Sequence, residues 1–384
     1  MAELSRRFIL AGALGAGLSS TACTSLGATT SVAEETGAFP IGVDPYLLGP
    51  KEGVALLSRN ENPYGPSKSA LEMVEYAAKK GAYYASRESR HLLAKMIAEK
   101  NGVEPEQIAI TTGSGEALSA IALIYGPKGR IVAPRLFWDT TALYAKNLGM
   151  AYIDRVPLKS DMGIDLAGIE ARVSSATGLV QLCNPNNPTG LVADSATFKA
   201  AVKRMAAKTT VLVDEAYIEL SDTPEIDTCV DLIKEGRNVI VARTFSKIYG
   251  MAGLRVGYTI SSPDVAQRIQ QTAMSWSPCT SYAGAIGAYN DEKFLDYSKS
   301  KVTEARDMVN TTLDTLGLTR LPSQTNFVYF KSGKEANEIQ KAMEAKKISV
   351  RGQYMDYNEW TRVSMGKIPD VERFCKALPE VIGA

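Results

Sequence analysis

The amino-acid sequence predicts an α/β protein: a large domain on a mostly parallel, doubly wound sheet, joined to a smaller α+β domain. Three observations lead there. Six short apolar runs, QIAITTG, GRIVAP, TGLVQLCN, TVLVDEAY, NVIVARTF and LRVGYTI, have the length and composition of buried strands. Segments of helical pattern such as EALSAIALIY, TTALYAKNLG and SATFKAAVKRMAAK stand between most of them, and that alternation builds βαβ units. From about Met274 the pattern changes to a long helix, EKFLDYSKSKVTEARDMVNTTLDTLG, followed by NFVYFKS, ISVRG and TRVSMG.

Ser5-Arg6-Arg7-Phe8-Ile9-Leu10 matches the twin-arginine export pattern. The Ala/Gly/Leu segment after it is too short and too glycine-rich for a membrane span. Residues 1–33 are therefore expected to be a signal peptide, with Ser31-Val32-Ala33 as a cleavage site. Thr21-Ala22-Cys23 forms an imperfect lipidation box. The expected destination is the periplasm or beyond, with no stable membrane span after processing. Twin-arginine export carries folded proteins, commonly because a cofactor is loaded first. Residues 34–75 read as an arm whose VALLSRNENPYGPS holds Asn-Pro and Gly-Pro turns and which completes part of the small domain. Residues 76–275 form the large domain and 276–384 the small one.

Composition narrows the chemistry. The 384 residues carry a formal net charge of +1, with no basic run interleaved with aromatics, which argues against a nucleic-acid binder. The single histidine, His91, rules out a multi-histidine metal site. It lies on an amphipathic helix, SRESRHLLAKMIAEK, where a surface role is expected. The five cysteines are scattered without a CxxC, so neither a metal site nor a disulfide framework is expected. The reaction must rest on lysine, tyrosine, carboxylates or a cofactor.

In open parallel sheets ligands sit at the carboxyl ends of the strands. The polar residues at those ends are Ser114, Asn187, Asp214, Tyr217, Ser246 and Lys247. CNPNNPTG makes a rigid turn that projects asparagine side chains. Asp214 ends a strand that is apolar on both faces, where an unpaired carboxylate is costly, so a cation or donor should face it. RTFSKIYGMAGLRVG sets Lys247 and Arg255 among glycines and small residues with no acidic neighbour in the stretch.

Taken together, NENPYGPS, TTGSGEAL, NPNNPTG, VDEAY, RTFSKIYGMAGLRVGY, NFVYF, SVRG and TRVSMG resemble, in order, the fold type I pyridoxal-phosphate aminotransferases. Within them the chain is most similar to the histidinol-phosphate aminotransferase group. The resemblance spans almost all of the chain after residue 33. It implies pyridoxal 5'-phosphate as cofactor, held by Lys247 through a Schiff base. A lysine does this when its amine is neutral near physiological pH, which desolvation and a neighbouring cation favour. It further implies that Asp214 pairs with the pyridine nitrogen and that Asn187 and Tyr217 hydrogen-bond the 3-oxygen. Arg255, Ser246 and Thr244 would hold the phosphate with Ser114 and Gly115 at a helix N-terminus. Trp138 would cover the ring, with Phe137 as the alternative. Tyr64 resembles the tyrosine that reaches the phosphate of a neighbouring subunit, which implies a homodimer with shared sites. Arg362 would bind the substrate carboxylate or phosphate, and Arg351 a second anionic group. No metal is implied.

The implied activity is ping-pong amino transfer between a small amino donor and a 2-oxo acid. Decarboxylation or another Cα chemistry on the same fold is the alternative. A non-catalytic periplasmic binding protein is the reading from outside enzymes. Two positions depart from the family pattern. Its usual Arg-Tyr-Pro is Ala82-Tyr83-Tyr84-Ala85 here, and its common aspartate after Gly-Ser is Gly115. With the export signal, these departures argue for a substrate other than histidinol phosphate.

Overall fold

The computed structural model describes residues 48–383. The expected signal peptide over 1–33, Cys23 and the first part of the arm lie outside these residues. Eleven strands are present among them: β1 (Ala55–Leu56), β2 (Ile108–Thr111), β3 (Arg130–Pro134), β4 (Ile153–Val156), β5 (Thr177–Cys183), β6 (Val211–Asp214), β7 (Val239–Thr244), β8 (Gly257–Ile260), β9 (Phe327–Lys331), β10 (Ile348–Ser349) and β11 (Trp360–Ser364).

The central sheet has seven strands in the order β2-β8-β7-β6-β5-β3-β4. From β7 to β4 every neighbouring pair is parallel. β8 is antiparallel to both β7 and β2. The connection between β7 and β8 contains one 3-10 turn, Ala252–Leu254, and no crossover helix of the kind a parallel return needs. β4 is absent from the six apolar runs of the sequence. Its IDRV buries only the two end residues, as suits an edge strand.

Alternate residues of the central strands feed two cores. Val211, Val213, Val239 and Val241 join one cluster with Phe198, Val202 and Met205 of the helix Ser195–Ala206. Leu212, Ile240 and Leu179 join the other with Leu118, Ile121 and Ala122 of the helix Gly113–Tyr125. Helices therefore cover both faces of the sheet, which explains why its strands read as nearly continuous apolar runs. The remaining strands form two small sheets. β9 and β11 pair antiparallel, and β1 of the arm pairs parallel with β10. The long helix Glu292–Thr315 precedes them.

His91 is exposed on the helix Arg87–Asn101. Among the described residues, no three His, Cys, Asp or Glu side chains are grouped to hold a metal ion. No described helix is long and apolar enough to cross a membrane.

Candidate active site

The carboxyl ends of β2, β3, β5, β6 and β7 and the start of the antiparallel β8 all lie at one edge of the sheet. A cavity of about 630 Å³ opens there, lined by Ser114, Gly115, Trp138, Asn187, Asp214, Tyr217, Thr244, Ser246, Lys247, Arg255, Arg351 and Arg362. Every residue named from the sequence as a site candidate is thus in its wall except Tyr64 and the alternative ring residue Phe137. Tyr64 packs edge-on against Tyr297, with ring centroids 5.7 Å apart, and its hydroxyl accepts from the Ile368 amide at 3.1 Å.

Asp214 ends β6, is 3% exposed, and receives one hydrogen bond, from the Ala216 amide at 3.1 Å. Burial raises its pKa to about 6, against the opposing pull of Ala216 and Lys247. One amide donor is little compensation for a buried carboxylate, and the site is suited to a cationic or protonated partner. Lys247 follows β7, and its Nζ donates to the Asn60 carbonyl at 3.0 Å. Burial and then Arg362 lower its pKa to about 8, bringing the neutral amine within reach of physiological pH.

The opposite end of the cavity is built for an anion. Thr244 Oγ1 accepts from the Ser246 amide at 3.1 Å and donates to Ser246 Oγ at 3.0 Å. Arg255 Nη1 donates to that same Ser246 Oγ at 3.3 Å and to the Ala252 carbonyl at 3.0 Å, neither of which neutralises its charge. The guanidinium lies over the start of the helix Gly113–Tyr125, whose N-cap Thr112 makes no side-chain cap. Free amides at a helix N-terminus attract anions. Only glycine permits this approach, because a Cβ at Gly113 would collide with Arg255 and one at Gly257 with the Ser114 backbone.

Tyr217 and Asn187 meet between these ends. Arg362, 4% exposed in β11, donates from Nη1 to Asn187 Oδ1 at 2.9 Å and from Nη2 to the Ser58 carbonyl at 2.8 Å. Its Nε is buried with no hydrogen-bond partner among the described residues, and the two bonds made from Nη1 and Nη2 use only two of the five guanidinium N–H donors. Arg351 is exposed, and its backbone pairs with that of Arg362. The two guanidiniums lie 5.0 and 5.4 Å from the ring centroid of Tyr354. Trp138 lines the cavity at 43% exposure, whereas Phe137 is buried in the core beneath Arg155. Of the two, Trp138 is the ring open to a ligand.

Sequence reasoning misses three contributors. Asn60 donates from Nδ2 to the Tyr217 hydroxyl at 2.9 Å and accepts from Ser364 Oγ at 2.7 Å. Ser58 offers its carbonyl to Arg362, and Tyr354 is wedged against both arginines. Asn60 lies inside the quoted NENPYGPS and could have been found there. The carbonyl of Ser58 leaves no trace in residue type. Tyr83 and Tyr84 stand out at 75% and 88% exposure and do not line this cavity.

The donor set fits pyridoxal phosphate piece by piece: an amine of lowered pKa, a buried acid short of a partner, and a cationic cradle at a helix N-terminus. Comparisons with known proteins agree. Residues 52–378 match the family described as Aminotransferase class I and II. A histidinol-phosphate aminotransferase of Akkermansia muciniphila is 33% identical over 352 residues, covering 91% of this chain and 94% of that one. The one from Moorella thermoacetica is 31% identical over 339 residues, covering 87% of each. Among solved structures, histidinol-phosphate aminotransferase from Sinorhizobium meliloti in complex with pyridoxal-5'-phosphate superposes with a TM-score of 0.79 at 31% identity, covering 86% of this chain and 91% of that one. On its fold, its cavity chemistry and these relatives, the chain belongs to the class I and II aminotransferases and is a pyridoxal-phosphate-dependent aminotransferase of fold type I.

Proposed function

We propose that this aminotransferase acts, as an exported homodimer, on an amino donor carrying a second anionic group, with a 2-oxo acid as acceptor. The observation that carries the substrate class is the pairing of Arg351 and Arg362 around Tyr354 in the wall of the cavity. A guanidinium grips a carboxylate or phosphate with two parallel hydrogen bonds. Two such groups in one wall suit a substrate with two anionic ends.

Arg255, Ser246, Thr244 and the amides at Ser114 and Gly115 would hold the cofactor phosphate. Asp214 would keep a proton on the ring nitrogen, Tyr217 and Asn187 would hydrogen-bond the 3-oxygen, and Trp138 would cover the ring. When bound, pyridoxal phosphate supplies an aldehyde that condenses with amines and a ring that accepts the electron pair released at Cα. Lys247 Nζ, its pKa lowered by burial and by the Arg362 charge, would take the proton from the substrate Cα and pass it to the former aldehyde carbon of the cofactor, not back to Cα. Arg362 orients the substrate carboxylate, so the Cα–H bond is presented to that amine.

Tyr64 turned away from its own cavity, and the exposed Tyr83, Tyr84 and Trp276, support a dimer in which Tyr64 completes the partner's phosphate site. The twin-arginine pattern supports export. Histidinol phosphate, named in the relatives, carries a phosphate but no carboxylate and belongs in the first screen as the donor with a single anionic group. The departures at Ala82-Tyr83-Tyr84-Ala85 and Gly115 favour a different donor. A panel of amino donors, with and without 2-oxo acids, tests the reading by the bleaching of the bound cofactor and by amino-acid product. The expected result is oxo-acid-dependent transfer from a dianionic donor that falls sharply in Arg351→Ala. Carbon dioxide release without transfer, or turnover confined to donors lacking a second anion, overturns it.

A further inference from the structure

We infer that Asn60, on the arm before the large domain, is a positioning residue that sets the direction of the Tyr217 hydroxyl proton. The inference rests on the proposed placement of Tyr217 against the cofactor 3-oxygen.

A phenol has one proton to donate and two lone pairs to accept with. Arg362 can only donate, so the side chain of Asn187 is oriented with Oδ1 toward Nη1 at 2.9 Å. Its Nδ2 then faces the Tyr217 oxygen, 3.4 Å away. On the other side, Ser364 Oγ in β11 donates to Asn60 Oδ1 at 2.7 Å. Asn60 Nδ2 donates to the Tyr217 hydroxyl at 2.9 Å. All five side chains are buried. Two amides thus occupy the acceptor positions of Tyr217, and its own proton has no acceptor among the described residues. That proton points into the cavity, where the 3-oxygen belongs. Donation there spreads the negative charge of that oxygen, so the proton at Lys247 Nζ in the loaded enzyme is released at lower pH. Asn60 also receives Lys247 Nζ on its main-chain carbonyl, at 3.0 Å, which ties the amine and the phenol to one residue.

The test is a pH titration of the visible absorbance of the cofactor-loaded protein. Asn60→Asp supplies a carboxylate that takes the Tyr217 proton for itself, and the midpoint is expected to rise by about one pH unit. In a Tyr217→Phe background the same change should raise it by less than half as much, leaving only the direct effect of the new charge. Asn60→Ala and Ser364→Ala should raise it by successively smaller amounts, and they decide the question if Asn60→Asp does not load. An unchanged midpoint in the Asn60 and Ser364 variants overturns the inference. So does an equal rise for Asn60→Asp in both backgrounds. If Tyr217→Phe alone leaves the midpoint unmoved, the placement of Tyr217 itself fails, a separate result.

Discussion

Asp214 and Glu215 are consecutive, buried to nearly the same degree and opposite in their surroundings. Glu215 receives Arg243 through Nε and Nη2 at 3.1 and 2.9 Å, Thr228 Oγ1 at 2.8 Å and the Cys229 amide at 2.6 Å. Arg243 is satisfied in turn by Asn101 at 3.0 Å and Thr228 at 2.8 Å. Asp214 receives one backbone amide. The contrast repeats on β7, where Arg243 finds its carboxylate while Lys247, just past the strand, finds only a main-chain carbonyl. Asp214 and Glu215, being adjacent, turn their carboxylates to different surroundings, one to the cavity and one to the buried arginine. The chain completes its structural ion pair from its own residues. It leaves the functional groups to be completed by a molecule it does not encode.

That contrast can be broken by substitution. The largest effect belongs to Lys247→Ala, expected to lower amino transfer by a factor on the order of 10⁴ or more while leaving the fold intact by circular dichroism. Asp214→Ala comes next, with a loss of roughly 10³-fold in turnover of the loaded enzyme and no loss in apoprotein melting temperature. Glu215→Ala should show the reverse pattern. It leaves Arg243 buried and uncompensated, costing about 3–5 kcal/mol in denaturant unfolding, while the remaining folded fraction keeps near-normal turnover per loaded site. If Glu215→Ala proved stable but inactive, the division between the two carboxylates would be wrong.

A smaller effect sharpens the same comparison. The folded apoprotein holds the Asp214 proton up to about pH 6, whereas the unfolded chain releases it near the ordinary aspartate value of 3.8. The native state therefore binds more protons in that interval, and its stability falls as pH rises through it. Asp214→Asn removes the penalty. It should stabilise the apoprotein by on the order of 2 kcal/mol above pH 6, with the gain gone below about pH 4. A gain that persists at low pH would contradict this account.

Much of this was legible beforehand because the cofactor end of the cavity is assembled from strand ends. Strand ends are marked in sequence by a polar residue after an apolar run, as at Asp214, Asn187 and Lys247. β4 escaped because an edge strand need not be apolar throughout. The antiparallel return of β8 escaped because periodicity carries no direction. Asn60, Ser58 and Tyr354 escaped for a different reason: they reach the site from the arm and from the loop before β11, and only tertiary packing brings those segments to the sheet edge. The pairing of Arg243 with Glu215 spans 28 residues and leaves no local signal. The wall built by the arm and by the loop before β11 was therefore the least readable.

The central claim is that Lys247 is the amine whose missing partner is the cofactor. Loading the protein with pyridoxal phosphate, reducing with borohydride and mapping the added mass by peptide mass spectrometry tests it directly. The expected result is one cofactor per chain, fixed to the peptide containing Lys247 and absent from Asp214→Ala or much reduced in it. Label on another lysine, or a protein that stays colourless and unlabelled, would contradict it.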